Sequence, residues 1–325
     1  MALGRARFGA TTSGVVFTLS IALAAPRAQA QQQVGGFAVE RFYPSAPGAG
    51  WLVMDALDMH GRIGGVIALS VGYTHKALRV ATSDGSQRLP VVSHQAFADV
   101  GLALTYDRYR LYLNFVNPIA KSGESGTVGA YQFTAPSVDV AQNPDLISDV
   151  RIGFDVRLLG DATSSFRLGA GAQLLTPNGN RADYDTDGTF RAMIRALFAG
   201  DAGLFTYAGQ VGVHIRPLDD SPAPGSPRGS ELLFGIGAGR KLPIGRSGNA
   251  ALVVGPEIFG ETALRSFFGA TTTGVEGLLT GRLEQTGDDG PQLRFKMGTG
   301  GGIHAHFGAP EWRIAFGIEM SGHHR

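Results

Sequence analysis

Three aspartates set two apart, Asp183, Asp185 and Asp187, followed by Gly188, match the opening of a calcium loop, in which alternate side chains turn oxygens toward one ion. Such a loop needs a bidentate glutamate at its twelfth position, and that position is Ile194. An acidic external loop is the expectation, with Asp183, Asp185 and Asp187 only weak metal candidates. His304 and His306 are spaced to share one side of a strand end, and His323 and His324 lie near the terminus, but no cysteine and no fixed carboxylate spacing accompanies them. Ser93 and His94 are neighbours in sequence, which puts their side chains on opposite faces of a strand and argues against a nucleophile and base pair. No G-x-S-x-G elbow is present. The glycines at 298–302 do not satisfy G-x-G-x-x-G, because position 303 is isoleucine. The chain is therefore expected to be no enzyme and to hold no cofactor.

The remaining charges are patterned along strands. Across 149–158, Arg151, Asp155 and Arg157 alternate with Ile152, Phe154, Val156 and Leu158; across 311–320, Arg313 and Glu319 alternate with Trp312, Ile314, Phe316, Ile318 and Met320. Successive side chains of a strand point to opposite sides, so one face can meet lipid and the other water. An Arg or Lys on a lipid face at mid-bilayer costs about 2–4 kcal/mol, which assigns the charged set to the inside of a barrel. The expected lumen-lining residues are Arg110, Arg151, Asp155, Arg157, Arg167, Arg191, Arg195, Glu257, Glu276, Arg282, Arg294, Lys296, Arg313 and Glu319, joined by Asp99, Glu231 and Glu284. This set holds ten basic residues against seven acidic ones, a positive excess. Phe154, Phe166, Phe190, Phe198, Phe205, Tyr207, Phe234, Phe295, Trp312 and Phe316 are expected outside, several at strand ends where an aromatic girdle sits.

Those faces require an all-β, antiparallel transmembrane outer-membrane barrel. Twelve spans are predicted, near 63–75, 94–106, 108–117, 149–158, 165–176, 189–198, 203–215, 230–240, 249–259, 274–284, 291–303 and 311–320. Short turns fall at 107, 159–164, 199–202, 241–248 and 285–290; long connections fall at 118–148, 177–188, 216–229, 260–273 and 304–310. Outer-membrane barrels have short periplasmic turns and long external loops, so the alternation puts both termini in the periplasm. The first hairpin is expected to project outward, turning at Asp84 and Gly85. A fourteen-strand alternative would add Trp51–Leu57 and 77–82 as spans, and it breaks the alternation.

Arg5 and Arg7, the apolar stretch 14–25 and the Ala28-Gln29-Ala30 site read as a cleaved export signal over 1–30. The stretch is short of the roughly 20 residues a spanning helix needs. The expected organisation is then a periplasmic amino-terminal segment at 31–62, the barrel at 63–320 and a short periplasmic tail at 321–325. With 28 basic and 27 acidic residues, nothing suggests nucleic acid as a partner. The chain has no cysteine, so strand pairing and closure must supply its stability. Its 48 glycines, including Gly235, Gly237 and Gly239 within one span, fit the crowded inside of a curved sheet.

Residues 36–42 (GFAVERF), 93–97 (SHQAF), 149–153 (DVRIG), 229–235 (GSELLFG), 255–260 (GPEIFG) and 310–313 (PEWR) resemble the amino-terminal barrel of long proteins of the outer membrane protein A (OmpA) family. The resemblance covers most of the chain after residue 30 and implies the same fold and location. In such relatives acidic repeats and a peptidoglycan-binding domain follow the barrel, and no residues here match that domain. The functional expectation is a structural surface protein or a narrow, mixed-charge pore for small solutes in the outer membrane of a Gram-negative bacterium. The alternative is an outer-membrane enzyme or a transporter of small hydrophobic molecules. Expected partners are membrane lipid and lipopolysaccharide, small solutes or ions, and the barrel-assembly machinery.

Overall fold

The computed structural model describes residues 32–218, 229–244, 250–285, 292–304 and 308–323. The export signal, His306 and His324 lie outside the described residues. Twelve long strands run up and down: β1 (Ile63–Ala81), β2 (Arg88–Tyr106), β3 (Tyr109–Ser122), β4 (Arg151–Leu159), β5 (Arg167–Leu175), β6 (Arg191–Ala202), β7 (Phe205–Ile215), β8 (Glu231–Ile244), β9 (Ala250–Ala263), β10 (Thr273–Gln285), β11 (Gln292–His304) and β12 (Trp312–His323). Each pairs antiparallel with the next, and β12 pairs with β1 from Trp312↔His75 to His323↔Gly64, closing the barrel. Closure removes both sheet edges, so the ladder hydrogen bonds are satisfied without water.

Alternation makes the two faces different. On β1, Ile63, Ile67, Leu69 and Val71 are exposed while Val66, Ala68 and Ser70 are buried. On β4, Ile152 and Phe154 are exposed while Arg151, Asp155 and Arg157 are buried. The outer wall is thus apolar and the inner wall charged, as a membrane-spanning barrel of the outer-membrane type requires. The strands of the first hairpin, 19 residues each, outreach the others and turn over 82–87 at the long-loop end. Trp51–Leu57 is not a span, and 77–81 is the upper part of β1, so the fourteen-strand count does not hold.

Residues 32–62 do not stand apart from the barrel as a separate segment. Gln32 and Gln33 pair in parallel with Tyr131 and Gln132, within the 118–148 connection at the long-loop end. From there the chain enters the bore, and it joins β1 through Gly61 and Arg62 at the short-turn end. Val34, Phe37, Val39, Phe42, Trp51, Leu52, Val53, Met54, Ala56, Leu57 and Met59 are all buried. The amino end of the described chain therefore lies at the opposite mouth from its carboxy end. Within the bore the segment doubles back: Ser45 N–H donates to the Leu52 carbonyl (2.8 Å) and Ala56 N–H to the Ala49 carbonyl (2.8 Å), with a bridge between Gly50 and Asp55. The main apolar core is inside the barrel, where Phe42, Trp51, Leu52, Met54 and Leu57 meet Phe97, Leu197, Val253, Phe259 and Leu278 of the wall.

Candidate functional site: the occupied bore

Residues 34–60 form a plug, and a row of inward glycines makes room for it. A Cβ on Gly235 would lie 2.5 Å from Met54 Cε, one on Gly237 would lie 3.4 Å from Met54 Cγ, and one on Gly239 would lie 3.1 Å from the Trp51 ring. Gly298 gives the same clearance to Leu52. Larger residues on this face would drive the plug off the wall, so these glycines serve close approach of a second chain segment.

Toward the long-loop mouth the plug is held by side-chain ion pairs. Arg41 grips Glu231 with Nε and a terminal nitrogen, both at 2.9 Å, and its Nε lies 3.0 Å from Glu261. Arg216 donates to Glu231 at 2.7 Å and to both oxygens of Asp187 at 2.7 Å, while Ala38 N–H donates to Asp187 at 2.9 Å. Arg313 spans Glu276 on the wall (2.7 Å) and Glu40 on the plug (2.7 Å), and its guanidinium stacks 4.5 Å from the Phe42 ring centre.

At mid-bore the contact changes kind. Glu257, fully buried on β9, accepts the backbone N–H groups of Leu52 (3.0 Å), Val53 (2.9 Å) and Met54 (2.9 Å). Three successive amides on one carboxylate fix the plug by its main chain. Lys296 donates to the Trp51 carbonyl (3.0 Å), to Ser45 Oγ (3.1 Å) and to Glu319 (2.6 Å), and Arg282 stacks 4.5 Å from the Trp51 ring centre. Arg151 donates to the Pro44 carbonyl at 2.6 Å.

Near the short-turn end Arg110 lies between Asp55 of the plug and Asp155 of the wall, with Arg195 3.0 Å from Asp155. Arg157 donates to the carbonyls of Leu57 and Met59, and Arg294 pairs with Asp58 at 3.1 Å. Arg167 turns to Asp201 at 2.8 Å, whereas Arg191, at the long-loop end, turns to Asp149 at 2.9 Å. The side chains of the fourteen residues expected in the lumen lie on the inner face of the wall, most of them engaged by plug groups or by one another, with Arg167 paired to Asp201. Three cavities left between plug and wall measure about 60, 50 and 30 Å³. Each is large enough for water.

The aspartate triplet does not converge on one point. Asp187 belongs to Arg216, Asp185 is paired with Lys121, and Asp183 accepts from the side-chain amide of Asn180. Burial opposes ionisation of Asp187, but the Arg216 hydrogen bonds and charge, with Arg191 and the Ala38 amide, outweigh it and hold this carboxyl well below the usual range. Asp185 goes the other way: its burial outweighs the Lys121 charge and raises it. Among the described residues the group whose ligand atoms do gather is His214, Glu231 and Glu261. Arg41 and Arg216 already neutralise both glutamates, which leaves little attraction for a cation. His304 Nδ1 donates to the Thr273 carbonyl at 2.7 Å.

Sequence reasoning missed Glu40, Arg41, Asp55 and Asp58. Their signal was the uncompensated positive excess of the inward set, since the plug brings three acids against one base.

No family model matches the chain, and no curated protein sequence matches it. Among solved structures it is similar to an outer membrane channel from Pseudomonas putida F1, with 14% identity over 81% of this chain and 96% of that one (TM-score 0.48). It is also similar to the NanC porin, with 7% identity over 80% of this chain and 100% of that one (TM-score 0.45). A third likeness is to the CymD monoaromatic hydrocarbon channel, with 10% identity over 82% and 90% of the two chains (TM-score 0.39).

Proposed function

We propose that this chain is exported by cleavage after Ala30, resides in the outer membrane of a Gram-negative bacterium as an OmpA-like barrel, and is a narrow pore for small polar solutes that its own amino-terminal segment keeps closed. The observation that carries this reading is the Glu257 seat, which holds plug backbone in the middle of the bore. The mixed-charge wall would pass small ions or polar solutes once residues 34–60 shift, and the same wall disfavours an apolar cargo. No catalytic role is assigned: Ser93 is buried while His94 is exposed, so the adjacent pair does not act together.

The test is planar-bilayer recording of the refolded protein. The cysteine-free chain permits a single engineered disulfide, with Leu52→Cys and Gly298→Cys placed where the two residues meet. We expect rare, small openings in the unmodified barrel, none in the oxidised double variant, their return on reduction, and a steady current when 34–60 is replaced by a glycine-serine linker of the same length. A folded linker variant without current, or a steady current that the disulfide leaves unchanged, would overturn the gated pore and leave a structural barrel.

A further inference from the structure

The outer wall carries one polar cluster where an apolar surface is expected. On β1, β2 and β12 the apolar band of Leu69, Val71, Phe316 and Ile318 gives way, toward the long-loop end, to four outward rings. Tyr73 Oη lies 2.6 Å from His94 Nδ1, Tyr73 and His75 both lie against Trp312 (ring centres 5.1 and 5.7 Å apart), and His75 lies against His94 (5.3 Å). His75 Nδ1 is buried without a hydrogen-bond partner.

Beside these rings the strand is bulged. His75 pairs with His94 but Leu78 pairs with Val92, so Lys76 and Ala77 oppose the single residue Ser93. Lys76 adopts φ 53°, a left-handed conformation that a residue with a Cβ seldom takes. The bulge brings the Lys76 ammonium to 3.1 Å from Glu311, whose other oxygen is 3.3 Å from Arg79, and His75 Nε2 lies 3.8 Å from the same carboxylate. All three groups of this ion pair are about one-third exposed. Two cations thus converge, with one carboxylate between them, on a point open to the surroundings. An exposed pair of this sort is weak, so a stronger anion can displace the carboxylate.

We infer that this cluster is a binding site for a phosphate of lipid A in the outer leaflet, with Lys76 and Arg79 holding the phosphate, the histidine rings donating to it, and Trp312 and Tyr73 lying along the lipid at headgroup height. Amphipathic rings settle at that height, and a phosphate receives charge-assisted hydrogen bonds from Lys and Arg. The inference rests on the orientation argued above, with the long loops outside.

The full mature chain, refolded in detergent micelles, is titrated with bisphosphorylated lipid A, with the same lipid stripped of its phosphates, and with inorganic phosphate, and bound lipid is counted by native mass spectrometry. One bisphosphorylated lipid should bind. Removing its phosphates, or combining Lys76→Gln with Arg79→Gln, should weaken binding about tenfold, the loss of one or two charge-assisted contacts. Glu311→Gln should tighten it, which provides a variant of opposite sign. Equal binding of the phosphate-free lipid, an unaffected double variant, or weaker binding by Glu311→Gln would overturn the site. Full displacement of the lipid by inorganic phosphate would do the same and assign the cluster to the free ion. Orientation is checked separately in cells: Asp84→Cys at the first hairpin should react with a membrane-impermeant thiol reagent from outside, a result independent of binding in micelles.

Discussion

The plug is held by two unlike clamps, and the contrast separates recognition of sequence from recognition of backbone. Toward the long-loop mouth, Glu40 meets Arg313, which also holds Glu276, and Arg41 meets Glu231 and Glu261, so both partners contribute specific charges. At mid-bore, Glu257 binds three amides that any residues other than proline would present. A side-chain clamp can be weakened from either side. The Glu257 clamp depends on one wall residue and on the local turn of the plug.

The largest expected effect follows from removing that residue. Glu257→Ala strands three buried N–H groups and should weaken the seat by about 4–6 kcal/mol, read as a large rise in open probability in bilayers with the gel-mobility shift of the folded barrel retained. If the variant stays as silent as the parent, the central clamp does not hold the plug. Arg313→Met comes next, because it leaves Glu40 and Glu276 without their common cation; a loss of about 3 kcal/mol should appear as more frequent but brief openings, since Glu257 still seats the middle. Equal or longer openings than in Glu257→Ala would reverse the ranking of the two clamps.

Acid should act on the loops flanking the upper clamp with two signs. Asp187, held below the usual carboxylate range, contributes stability that is present above the unfolded-state pKa and is lost only as pH falls through its depressed folded value. Asp185 is raised, so its protonation favours the folded state as pH drops through that raised value. The thermal penalty of Asp187→Asn, measured by the temperature of the gel-mobility transition, should therefore be full at pH 7 and shrink in strong acid. The penalty of Asp185→Asn should be small or reversed at pH 7, and a large one would show that the Lys121 pair outweighs burial. The smallest effect belongs to Asp84 at the exposed hairpin turn, where hydrogen bonds from Thr82 and Ser86 lower it to about 2. Asp84→Asn should leave both current and transition temperature unchanged at neutral pH.

The wall was legible in the sequence because lipid imposes a one-residue rule: Arg151, Asp155, Arg157, Arg313 and Glu319 cannot face hydrocarbon, so each fixes the face of its whole strand. The plug was not, because its residues obey no period. Trp51–Leu57 is apolar enough to pass for a span, and only the closed wall with its glycine row shows that these side chains point inward. The charge imbalance hinted at a missing anionic partner without saying where in the chain it lay. Glu40 and Arg41 of the plug pair with Arg313 and Glu231 of the wall, while Arg151 and Glu257 take plug backbone.

The path of residues 32–62 also constrains the order of events in time. The segment precedes the first strand, enters at one mouth and leaves at the other through Gly61 and Arg62, where it is continuous with Ile63. A finished cylinder could be filled this way only by drawing a free end through its full length, past Arg110, Glu257 and Arg313. The simpler sequence is that β12 finds β1 while 34–60 already lies across the curving sheet, so the apolar interior forms first and the cylinder is wrapped around it. The residues that precede the first strand would then be the mandrel around which twelve strands close.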